Sequence, residues 1–65
     1  MKHFYFIEEN TGEEFLVGAH DLNEAMIIAK EVAADIASGM EEYPSLSYEY
    51  EMTDDEAEAS GLDEF

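Results

Sequence analysis

The stretch 2-KHFYFIE-8 decides the fold. Side chains of a strand alternate between its two faces, and here neither set is polar. Phe4 and Phe6 point one way, Tyr5 and Ile7 the other. A strand that is apolar on both sides belongs in the middle of its sheet. The residues that follow, 9-ENTGEE-14, carry turn chemistry, with Gly12 free to take a positive φ. A second strand, Glu13 to Ala19, therefore returns antiparallel to the first. Phe15, Val17 and Ala19 share one of its faces, and Glu14, Leu16 and Gly18 share the other.

Next, 20-HDLNEAMIIAKEVAADIASG-39 reads as a helix. Asp21 is its N-cap, and Glu24 three residues later completes a capping box. Leu22, Ala25, Met26, Ala29, Val32, Ala33 and Ile36 fall on one apolar stripe, and Gly39 suits the C′ position. Ile27 lies off that stripe and is left as contact surface. After a loop with Pro44, residues Ser45 to Met52 alternate again. Leu46, Tyr48, Tyr50 and Met52 are expected to face inward, and Ser47, Glu49 and Glu51 outward. Thr53 and Glu56 form a second capping box ahead of a short acidic helix, roughly Asp54 to Ser60, stopped by Gly61. Residues 61–65 are either a flexible tail or fold back through Leu62 or Phe65.

The expected architecture is a single α+β domain of order β-β-α-β-α. Right-handed crossover through the first helix favours an antiparallel-dominated sheet of order 2-1-3, with the long helix on one face. Which face that helix covers is open. The short helix does not obviously cover the other, so an apolar patch of Tyr5, Ile7 and Leu16 is a candidate homodimer face.

Charge is the unusual feature. Eighteen acidic residues oppose two lysines and no arginine among 65 residues, for a net charge of −16, about a quarter of a charge per residue. Acidity of this order often goes with disorder. A hydrophobic fraction of 46% with eight aromatics nevertheless supports a core. Such a chain repels nucleic acid and anionic membranes, and its natural partners are cationic. No apolar run is long enough to span a membrane, and no basic segment followed by an apolar one marks a signal peptide. A cytoplasmic protein is the default expectation.

Catalytic chemistry finds little support. Cysteine is absent, the serines have no histidine near them in sequence, and neither a Gly-rich phosphate loop nor an arginine is present. No cofactor is expected. The run 54-DDEAE-58 offers oxygen ligands without the spacing or central glycine of a calcium loop, and His3 and His20 are far apart, so no metal site is expected either. What stands out is acids placed on regular structure. Glu8, Glu9, Glu13 and Glu14 crowd one hairpin end. Glu49 and Glu51 lie two apart on a strand, roughly 7 Å from each other on one face. Asp54, Asp55, Glu56 and Glu58 crowd the short helix. Two readings of this acidity stay open. It is a solvated coat that serves solubility or a salty cytoplasm, or it is an ordered array that imitates a nucleic-acid backbone and engages the basic channel of a nucleic-acid-binding protein.

Small size, a pI near 4.1, the lack of arginine and the closing 53-TDDEAEASGLDEF-65 resemble the small acidic DNA-mimic inhibitors of phages and mobile elements, of the anti-restriction and anti-CRISPR type. Folds differ among these inhibitors, so the resemblance carries no individual residue roles. It implies a non-enzymatic protein that blocks a host nuclease or another DNA- or RNA-binding protein. The rival expectation is an assembly or antitoxin-like module that binds through the apolar patch, with acidity serving only solubility.

Overall fold

A computed structural model describes residues 1–38 and 43–65 of the chain. Strands β1 (Lys2–Glu8), β2 (Glu13–Ala19) and β3 (Leu46–Met52) and helices α1 (Leu22–Ile36) and α2 (Asp54–Ser60) follow in the order β-β-α-β-α. The sheet order is β2-β1-β3 and both pairings are antiparallel, so the doubly apolar strand is the central one.

The helix α1 covers the face of Phe4 and Phe6. These two rings join Phe15, Val17 and Ala19 of β2 and Ala25, Ala29 and Val32 of α1 in one buried cluster. Ala25 and Ala29 on the contact stripe let the helix approach the sheet closely, and the aromatic rings fill the space between them. Phe6 stacks on Phe15 at 5.8 Å between ring centres and meets Tyr48 at 5.4 Å. Ile27 is exposed, as its position off the stripe implies.

Local chemistry sets the helix ends. Asp21 accepts a hydrogen bond from Glu24 N at 2.8 Å. The Glu24 carboxylate turns to His20 Nδ1 at 3.4 Å and does not close the expected capping box. The expected C′ role of Gly39 lies outside the described residues. Asp21→Ala should cost about 1 kcal/mol, a fall of about 4–8 °C in the melting midpoint measured by circular dichroism. At α2 both halves of the box form: Glu56 N donates to Thr53 Oγ1 at 3.2 Å and Thr53 N to Glu56 Oε1 at 3.1 Å. Gly61 ends this helix at φ 69°, a left-handed conformation that suits glycine.

In β3 the structure corrects the expected alternation. Tyr50 lies opposite Tyr5, but Tyr48 lies opposite Phe6, so Glu49 is an extra residue in a β-bulge. The bulge reverses which residues face which side. Leu46 and Tyr48 share the α1 face with Glu8 and Phe6, whereas Tyr50 and Met52 share the opposite face with Tyr5 and His3. Glu51, paired with Phe4, falls on the α1 side, so Glu49 and Glu51 do not form the one-faced pair that simple alternation implies.

The face away from α1 is half covered. Chain direction accounts for this. The connection β2-α1-β3 runs across the sheet one way, and β3-α2 runs back the other. If both turn right-handed, their helices must lie on opposite faces. Beyond Gly61 the chain reaches the outer edge of β2 and runs parallel to it. Leu16 N donates to Asp63 O at 2.9 Å, Phe65 N to Leu16 O at 2.8 Å, and Gly18 N to Phe65 O at 2.9 Å. Phe65 sets its ring edge-on to Phe15 at 5.8 Å.

Candidate interaction surface

Glu8 must be removed from the acidic surface. Its side chain is fully buried on the α1 face. One carboxylate oxygen accepts from Thr11 N at 3.0 Å and from the Thr11 hydroxyl at 3.3 Å; the other accepts from Ser45 N at 2.7 Å. Burial, the largest single influence, pushes its pKa up. The hydrogen bonds from Ser45, Thr11 and Asn10 together outweigh burial and hold the pKa below the ordinary carboxylate range. Glu8 thus ties the β1–β2 turn to the start of β3 as a buried anion.

The other nine candidate acids, Glu9, Glu13, Glu14, Glu49, Glu51, Asp54, Asp55, Glu56 and Glu58, are all exposed. They do not lie on one plane. Glu14 and Glu49 flank the uncovered half-face, where Tyr5 and Tyr50 meet edge-on at 5.2 Å. The Tyr5 hydroxyl donates to Glu14. That bond, together with burial and the charges nearby, pushes the phenol up to about 12. Glu51 is on the opposite side of the sheet, and Glu13, paired with Glu8, projects toward that side also. Asp54, Asp55, Glu56 and Glu58 ride on α2.

The candidate dimer face shrinks in the same way. Leu16 is only 1% exposed, because α2 and the 63–65 segment lie over it, so it cannot serve as contact surface. Tyr5 and Ile7 remain half-buried in the uncovered portion.

Sequence reasoning missed one cluster. His3, Leu16, Asp54, Ala57, Glu58, Leu62 and Glu64 line a shallow cleft of about 260 Å³ beneath α2. Both nitrogens of His3 face carboxylates: Nε2 lies 2.5 Å from Asp54 Oδ1 and Nδ1 contacts Glu64. Hydrogen bonding to Glu64, then to Asp54, raises the histidine pKa against a smaller opposing effect of burial. Among the described residues, the ion pairs are these two and His20–Glu24, so each depends on a protonated imidazole. Also among the described residues, no cluster of His, Cys, Asp or Glu has metal-binding geometry, and no helix is long and apolar enough to cross a membrane.

No family model, curated protein or solved structure matches this chain.

Proposed function

We propose that the protein is a non-enzymatic, cytoplasmic binding protein that occupies the basic nucleic-acid-binding surface of another protein, as a nucleic-acid mimic does. Charge density is the observation that carries this reading. The longest dimension of the fold is 36 Å and the net charge is −16. Leaving out the buried Glu8, fifteen net charges over that length give one per about 2.4 Å, the same order as the roughly 1.7 Å per charge of duplex DNA. That length also approximates one turn of the duplex, about 34–36 Å. The nine exposed acids are attached to strands, a capped helix and a tight hairpin, so their backbone positions are fixed before binding and only side-chain ordering opposes it. Tyr50, exposed beside Glu49, offers a ring face to an arginine whose guanidinium meets the carboxylate. The inhibitor role, blocking a host nuclease or a related enzyme of the kind met by anti-restriction and anti-CRISPR proteins, is the form of this reading that fits so small and acidic a chain. The rival apolar-face reading loses support from the burial of Leu16.

Capture from a bacterial lysate, with elution by a salt gradient and by duplex DNA, tests the proposal. Basic proteins should be retained at low salt, released by competing DNA, and bound at least about tenfold more weakly at 200 mM than at 50 mM salt. Glu49→Lys combined with Glu58→Lys should weaken retention, whereas Ile7→Ala should change it little. Partners that DNA does not displace, or whose affinity is flat with salt, would overturn it.

A further inference from the structure

We propose that His3 is a pH-operated clip which holds the 63–65 segment on the edge of β2, and that its deprotonation releases that segment and uncovers Leu16.

The argument starts from donor counting. An imidazolium has two N–H donors, and here each has its own carboxylate acceptor, Asp54 from α2 and Glu64 from the closing segment. A neutral imidazole has one N–H. Its other nitrogen then presents a lone pair to a carboxylate, so one attraction becomes a repulsion. The groups facing His3 make that loss severe. Asp54 and Glu58 come from α2 and Glu64 from the closing segment, and all are acidic. The cross-strand neighbours are Met52 on β3 and Gly18 on β2, which do not titrate. On β1 itself, Tyr5 shares the face and is engaged by Glu14, while Lys2 points to the other side. Met1, two residues before His3 on the same face, sets its sulfur beside Gly18 near the Glu64 carboxylate, and among the described residues the only ion pair that Asp54 or Glu64 makes is the one with His3.

What the clip holds is slight. The segment is joined to β2 by three backbone hydrogen bonds and one edge-on ring contact at Phe65, and to β1 by the Glu64–His3 pair. Gly61, in the left-handed region immediately after α2, is a natural pivot for its departure. On release, the Leu16 and Gly18 amides lose their acceptors and the Leu16 side chain loses part of its cover. The sign follows from the direction of the histidine shift. Its folded-state pKa is raised, so the stabilisation is complete below the ordinary value of about 6.5 and is lost as pH rises through the raised value. This switch does not depend on the identity of any partner.

Amide hydrogen exchange by NMR, corrected for intrinsic rates, tests it directly together with titration of the His3 ring. Between about pH 5.5 and pH 8.5, protection of the Gly18 and Phe65 amides should fall about tenfold, with a midpoint that coincides with the ring titration. His3→Gln, which keeps a single donor group and no charge, should show the loosened state at all pH values with no step. His20→Gln should keep the step. Flat protection in the wild-type protein across the His3 titration would overturn the proposal. So would a step that survives unchanged in His3→Gln. Should His3→Gln not fold, the wild-type titration and the His20→Gln comparison still decide.

Discussion

Glu8→Gln should lower the melting midpoint by about 10 °C at neutral pH, although it removes one negative charge from a chain carrying sixteen in excess. Relief of repulsion predicts the opposite sign, and for an exposed acid such as Glu9 it should prevail or leave the midpoint within about 2 °C. Glu8 differs because both its oxygens accept hydrogen bonds from backbone amides, Thr11 on one side and Ser45 on the other. A glutamine offers one oxygen and one NH2, so one of those amides faces a donor in a buried site. The pH dependence distinguishes this cause from a packing defect. Glu8 has a lowered folded-state pKa, so its stabilisation is present above the ordinary carboxylate range and disappears as pH falls through that lowered value. The gap between wild type and variant, measured by thermal melts at stepped pH, should therefore narrow in acid. A constant gap would mean that the carboxylate charge is not what matters.

Phe6→Ala should abolish folding at 37 °C. The ring is fully buried, stacked on Phe15 and in contact with Tyr48, at the point where all three strands and α1 converge. Truncating a buried phenylalanine typically costs about 3–5 kcal/mol. A domain of this length commands roughly 3–10 kcal/mol in total. Self-repulsion among the acids places the protein toward the lower part of that range, and added salt should partly rescue the variant. Phe6→Leu should fold, with a loss of about 1–2 kcal/mol in urea melts. An alanine variant with a wild-type urea midpoint would relocate the core.

The sequence carried clear information about whatever is decided within a few residues. The doubly apolar 2–8 stretch marks the central strand, and Thr53, Glu56 and Gly61 mark both ends of α2, because each signal is complete in local chemistry. Features that need partners far along the chain were not legible. The bulge at Glu49 arises from how β3 must register against β1, and nothing in 46-LSYEYEM-52 shows it. Glu8 looks like another hairpin acid until Ser45, 37 residues later, donates to it. The His3 cluster joins residues 51 and 61 positions apart, and a histidine beside a strand start gives no sign of either. The same limit applies to the acidic surface. Composition fixed its sign, but only the fold divides its members between one buried anchor and nine exposed groups.

The bulge in β3 has a bearing on solubility at high concentration. A sheet with an aromatic central strand is an invitation to edge-on joining between molecules, since an outer strand leaves its amides and carbonyls unpaired. One margin of this sheet is already occupied by the chain's own 63–65 residues, and the other is kinked at Glu49 and bears Glu49 and Glu51. Neither margin offers a neighbour a straight, neutral strand, so concentrated solutions should resist fibril growth while the native fold persists.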